Sequence, residues 1–273
     1  MAILFTKPTK AAKRLKLMLY GVAGVGKTTA AIQFPKPAII DTERGAENDT
    51  YVDLINSKGG AILSTSSFDT IMEQVKALAT TEHPYRTLVI DPITVVYDAM
   101  ATAWEKRVGD EWSRHRAKAV TDWKRLTNLL AALDMNVVFT SHAKSEWVNG
   151  ESTGRFTFDG PKGADYWMDL VIEVQRSGEE RFGIIRKSRI KTLPVDETFP
   201  FSYDELADRY GRDVLERDAK PVASQYLELM DLIESREDGE DIASRILKKK
   251  GVATLSELSL DDIQKAIEWL TNG

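Results

Sequence analysis

Residues Gly21 to Thr28 read GVAGVGKT and satisfy the pattern G-x-x-x-x-G-K-[ST] at every fixed position. The pattern constrains the fold tightly because it works only between a buried strand and a helix. Both flanks are present: the mainly apolar run Leu15 to Tyr20 precedes it, and Thr29, Ala30, Ala31 and Ile32 continue it as helix. Gly21, Gly24 and Gly26 let the backbone turn its N–H groups inward at the positive end of that helix, which is how a loop cradles phosphate. Lys27 is then expected to reach the β- and γ-phosphates of a nucleotide, and the Thr28 hydroxyl to ligate Mg²⁺. The expected nucleotide-binding set is Gly21, Val22, Ala23, Gly24, Val25, Gly26, Lys27, Thr28 and Thr29.

A chain of 273 residues has room for one nucleotide-binding core and a small appendage. It contains no cysteine, which excludes disulfides and thiolate metal sites, and its three histidines, His83, His115 and His142, are widely scattered. No apolar run approaches the ~20 residues of a membrane span, and no signal-peptide pattern opens the chain, so the expected setting is a cytoplasm without membrane attachment. A net charge of −5 argues against a globally basic nucleic-acid binder but leaves room for a local basic stripe. Lys7, Lys10, Lys13 and Arg14 read as a solvated basic lead-in.

Beyond the phosphate loop, Pro35 and Pro37 close the first helix, and Ala38 to Ile40 form a buried strand ending at Asp41. Thr42, Glu43, Arg44 and Gly45 follow at that strand's C-terminal end, where ligands of open α/β sheets collect. Gly60 to Ser64 suits a short strand, and Phe68, Ile71, Val75 and Leu78 share one face of a helix. Thr87 to Asp91 (TLVID) is an apolar strand ending in a carboxylate able to hold Mg²⁺; the alternative is a cap on the helix after Pro92. Asn136 to His142 (NVVFTSH) is a further buried strand with a polar end.

Three segments are candidates for contact with nucleic acid. Glu111 to Lys118 sets Arg114, Arg116 and Lys118 beside Trp112, a mixture that either tracks phosphates or forms a solvated turn. Glu146 to Lys162 is glycine-rich and carries Trp147, Arg155, Phe156 and Phe158, as expected of a mobile loop or hairpin. Arg155 and Phe158 are its candidate phosphate and base contacts. Two strands, Asp169 to Gln175 and Arg181 to Ile190, are joined by Ser177-Gly178 and end in Arg186, Lys187, Arg189 and Lys191. The Lys248 to Lys250 run suits a solvated helix end. Organisation follows as a core over 1–216, a helical linker over 217–240 and a small helical appendage over 241–273.

The phosphate loop, AIIDTERG, LVIDP and FTSHA together resemble the RecA-like P-loop ATPase core, and more narrowly the phage-encoded RecA-like proteins linked to single-strand annealing. The resemblance covers roughly residues 15–195. It implies an α/β core with a mostly parallel central sheet flanked by helices, antiparallel edge strands, ATP and Mg²⁺ as cofactors, and single-stranded DNA as partner. It further implies a homo-oligomer, ring or filament, with a single-strand-binding protein as accessory and a host cytoplasm as location. By position it gives Glu43 as the residue polarising the attacking water, Asp91 as the Mg²⁺-linked carboxylate and His142 as the γ-phosphate sensor. Lys187 and Arg189 resemble the Lys-x-Arg pair that reaches a neighbouring subunit's ATP. His142 stands where RecA has glutamine, and Pro92 where a small hydroxyl residue is common. Competing classes are a small-molecule kinase and a nucleotide-dependent scaffold such as a helicase loader.

Overall fold

The computed structural model describes residues 13–47, 49–109, 114–236, 238–252, 255 and 258–272. Strands β1 (Lys16–Gly21), β2 (Pro37–Asp41), β3 (Ala61–Ser64), β4 (Thr87–Asp91) and β5 (Asn136–Val148) alternate with helices α1 (Lys27–Ile32), α2 (Asp49–Ser57), α3 (Phe68–Thr80), α4 (Ile93–Val108) and α5 (Arg114–Ala132). Strands β6 (Glu151–Phe158), β7 (Leu170–Ser177), β8 (Glu180–Ser188) and β9 (Thr198–Pro200) follow, then helices α6 (Tyr203–Tyr210), α7 (Arg212–Glu216), α8 (Ser224–Glu234), α9 (Gly239–Lys250) and α10 (Leu260–Asn272). The sheet order is β3-β2-β4-β5-β1-β7-β8-β9, with β6 paired to β5 outside this path. The first six strands of that order run parallel; β8 and β9 add antiparallel pairings. This is the α/β architecture expected of a RecA-like core.

Alternation along the strands explains the layers. Leu17 and Leu19 face a cluster with Ala31, Ile32, Ile55, Leu206 and Leu215, whereas Met18 and Tyr20 face one with Ile71, Val96, Leu126 and Leu130. Burial on both faces is what parallel strands require, and it is why β1, β2 and β4 read as near-continuous apolar runs. Leu229, Ile233, Ile246, Ile263 and Ile267 of the C-terminal helices join the same cluster as Met18 and Leu130. One continuous apolar layer therefore spans the positions 216 and 240 at which the sequence suggests divisions.

Arg14 departs from the solvated lead-in expected of it. It is only 4% exposed. Its guanidinium donates to Asp134 at 3.1 Å and to the carbonyls of Val214, Arg217 and Asp218 at 2.9, 3.0 and 2.8 Å. A planar cation with five donors can satisfy a carboxylate and several carbonyls at once, which makes burial tolerable and ties the start of β1 to the end of α7.

Candidate nucleotide site

Parallel register brings the motif residues to one edge of the sheet. Gly21 pairs with His142, Asp41 with Asp91, and Ile90 with Phe139, so the phosphate loop, the Glu43 loop, Asp91 and His142 all emerge at the C-terminal ends of adjacent strands. Two glycines of the loop are required by geometry. Gly26 has φ +92°, a left-handed conformation that favours glycine, and a side chain at Gly21 would sit 2.5 Å from the Val174 carbonyl oxygen. Val22, Ala23 and Gly24 are exposed, while Val25 packs under the loop in the cluster with Leu17 and Leu19.

Lys27 Nζ donates to the carbonyls of its own loop, Gly21 at 2.9 Å and Val22 at 3.0 Å. Burial lowers its pKa, an effect opposed by the charges of Asp91 and Glu43. Asp91 is 8% exposed; it accepts from the hydroxyls of Thr140 and Thr28, and burial raises its pKa. Thr28 and Asp91 therefore present hydroxyl and carboxylate oxygens to one point beside the loop, a hard donor set that fits Mg²⁺ held jointly with phosphate oxygens and water. Among the described residues no group of three or more His, Cys, Asp or Glu forms an all-protein metal cage. The loop likewise fits a polyphosphate, because the cation it would use is already folded over it, and Thr29 continues the turn into α1.

Asp41 organises the neighbouring loop, a role the sequence hides because a carboxylate at a strand end reads equally as ligand or cap. Its side chain accepts from the backbone N–H groups of Glu43 and Gly45, each at 3.2 Å, and of Ala46 at 2.8 Å. Arg44 takes φ +58° in the turn that results. Glu43 is thereby held with its carboxylate 3.3 Å from His142 Nε2, both side chains 46% exposed and reachable by water. This set can bind a polyphosphate, order a metal ion and hold a carboxylate near a water molecule.

Lys187 and Arg189 lie elsewhere. Lys187 opposes Val171, which pairs with Met18, so it sits three residues before Gly21 along the strands, at the far end from the loop. Lys187 Nζ donates to the Asp165 carbonyl, and Arg189 to that of Tyr166 at 2.5 Å. Strand β8 ends at Ser188, so Arg189 lies beyond the strand that the sequence carries on to Ile190. The carboxylate of Glu173 is taken by Arg186 at 2.7 Å.

The DNA candidates fall on two surfaces. Arg114, Arg116 and Lys118 are exposed at the start of α5, with Lys118 Nζ 5.9 Å from the Trp104 ring centre; Trp112 lies outside the described residues. Residues 143–158 form a hairpin turned by Asn149-Gly150, both with positive φ. Arg155 is exposed on it, but Phe158 is half-buried at its base, edge-on to Tyr20. The exposed rings are Trp147 and Phe156.

Lys27→Ala is expected to weaken ATP binding at least 10- to 100-fold while leaving thermal stability unchanged, since a charge-assisted bond to phosphate is lost and only loop carbonyls lose a partner. Calorimetric titration checks this, and wild-type affinity in the variant would remove the loop from the site.

Among solved structures, the chain is similar to the crystal structure of the RadB recombinase, at 15% identity and a TM-score of 0.48, over 77% of this chain and 92% of that one. A comparison with curated protein sequences finds no match. The family model described as AAA domain matches residues 13–199, which include every strand from β1 to β8 and the entire phosphate-loop edge. With well over half of its length matched, the chain belongs to the AAA domain family.

Proposed function

We propose that this protein is a Mg²⁺-dependent ATPase of DNA recombination or annealing, which binds single-stranded DNA as a homo-oligomer with ATP at subunit interfaces. The observation that carries this reading is the continuity of β5. The strand that brings His142 to the phosphate-loop edge, 3.3 Å from Glu43, runs on as one strand to Val148 in an exposed aromatic hairpin, with a register shift between Ser145 and Trp147. At the hairpin's root, the Thr94 hydroxyl donates to the Asp159 carbonyl at 2.7 Å and accepts from His142 N at 3.2 Å, while Ser141 Oγ donates to the same carbonyl at 2.8 Å. A shift at His142 on binding ATP is thus transmitted to the hairpin through a short bonded path.

The hairpin carries Trp147 at 64% exposure and Phe156 at 46%, with Lys144 and Arg155 exposed alongside. Exposed rings interleaved with cations suit stacking on unpaired bases and neutralisation of phosphates. Phe158 is better placed to brace the hairpin than to stack, and Arg114, Arg116 and Lys118 offer a second basic stripe. With ATP bound, Lys27 and the loop N–H groups would hold the phosphates, Thr28 and Asp91 would hold Mg²⁺, and Glu43 would orient water beside His142. When bound there, Mg²⁺ would neutralise the charge developing on the phosphates. The sequence resemblance adds the finer proposal of a phage-encoded annealing protein acting in a host cytoplasm beside a single-strand-binding protein.

Phosphate release measured with and without single-stranded oligonucleotides tests the reading. Stimulation is expected, and it should disappear in Trp147→Ala/Phe156→Ala, whose DNA affinity should fall by about 1–3 kcal/mol per stacked base. Because both rings are exposed, the melting temperature should hold. Flat ATPase activity with DNA would favour a scaffold, and a requirement for a small acceptor would favour a kinase.

A further inference from the structure

Arg181, near the start of β8, stands against the phosphate loop without a counter-charge. If Gly26 carried a Cβ, that atom would lie 2.1 Å from Arg181 Nε and 2.8 Å from Cζ. The guanidinium therefore lies directly on the loop's last glycine, a position whose φ of +92° itself favours glycine. Its Nε is fully buried and has no hydrogen-bond partner, and Arg181 forms no ion pair among the described residues. A buried donor left unmatched is costly, and native proteins carry few of them.

A second observation comes from the strand pairing. Arg181 is directly opposite Arg176 on β7, so two cations share one face of the hairpin, and like charges in that arrangement repel. Arg176 spends its own Nε on the Gly178 carbonyl at 2.7 Å and does not relieve its neighbour. Glu179 and Glu180 at the hairpin end are exposed to solvent. Val174, two residues before Arg176 on β7, touches the loop at Gly21, so the hairpin rises beside the loop on the face that α1 covers. Two juxtaposed arginines, one of them pressed on a phosphate-binding glycine with a free donor, are stabilised together by an anion.

We infer that Arg181 is a second cation of the phosphate site, supplied from within the same subunit by the β7–β8 hairpin, and that it donates to a phosphate oxygen of the bound nucleoside triphosphate. This rests on the reading of Gly21–Thr28 as a nucleotide site. Lys27 approaches from within the loop, whereas Arg181 closes it from the β7 side, and its planar fork contacts an oxygen pair in a way that a lysine does not reproduce.

The test compares wild type, Arg181→Gln, Arg181→Ala and Lys27→Ala in calorimetric titrations with Mg-ATP, adenosine and inorganic tripolyphosphate, together with melting curves without ligand. Arg181→Gln should weaken ATP and tripolyphosphate by about 10- to 100-fold and leave adenosine unchanged. Its ligand-free melting temperature should stay level or rise, since the opposition to Arg176 is relieved. Unchanged ATP affinity in both Arg181 variants, with affinity lost in Lys27→Ala, would overturn the inference and leave the nucleotide site standing. Weakening of ATP and adenosine with tripolyphosphate unaffected would overturn it in favour of a base contact. A fall in melting temperature in both variants that accounts for the lost affinity would overturn it in favour of a structural role. Absence of ATP binding by the wild type would remove the site and the inference together.

Discussion

Glu43→Gln is expected to bind ATP as tightly as the wild type and to release phosphate about 10²- to 10⁴-fold more slowly, the range attributed to a positioned general base. The expectation rests on how the side chain is held. The backbone N–H of Glu43 is fixed by Asp41, its carboxylate lies 3.3 Å from His142 Nε2, and it remains half exposed. The amide keeps the shape and the contact with His142 but cannot take a proton from water. Nucleotide affinity that falls in step with turnover would instead make Glu43 a support of the loop. Retained hydrolysis would move the base to Asp91 or His142. Asp41→Asn serves as a comparison, since three N–H groups lean on that carboxylate and its loss should disorder the Glu43 loop without touching the chemistry directly.

What the sequence made legible was the part of the molecule where local pattern and tertiary context agree. Buried parallel strands carry apolar runs bounded by polar residues, so LVID and NVVFTSH point both to their burial and to the edge at which Asp91 and His142 emerge. The register of Gly21 with His142 follows once the strands are parallel. The antiparallel pair β7–β8 was equally open, because Ser177-Gly178 marks its turn. Other features depended on pairings that no short window contains. Asn149-Gly150 is a strong hairpin signal, yet the glycines and exposed rings around it also suit a loop, and only pairing with β6 extends β5 to Val148. Arg14 reads as one more terminal cation until the carbonyls of Val214, Arg217 and Asp218, 200 residues away, are brought to it. Arg181 was hidden for the same reason: its neighbour Gly26 is remote in sequence and gives no sign of what lies over it.

Replacing Lys187 and Arg189 together by alanine is expected to have the largest effect, a loss of about 10³- to 10⁵-fold in turnover, as for cations that act across a subunit interface as charge-stabilising fingers. Their position argues for action on a neighbour. Lys187 is level with Met18, three residues and roughly 10 Å of strand short of the phosphate loop in its own subunit, and Arg189 lies further still. Among the described residues neither forms an ion pair like that of Arg186 with Glu173, although the charges of Asp165 and Asp169 favour a protonated Lys187. Both donate instead to carbonyls of the turn at Ala164–Trp167, beside the 74% exposed ring of Tyr166. Burial lowers the Lys187 pKa, so its charge is one that a phosphate in the interface would stabilise. A Lys187→Ala/Arg189→Ala subunit with an intact loop should be inactive alone. Mixed with Lys27→Ala subunits, themselves inactive, it should regain partial activity, because some interfaces then join a working loop to working cations. Complementation also separates the functional role from a structural one, since a subunit unfolded by loss of the turn contacts could not restore its partner. Full activity of the double variant by itself, at concentrations where the wild type is monomeric, would remove the role in trans and with it the requirement that ATP be hydrolysed between subunits.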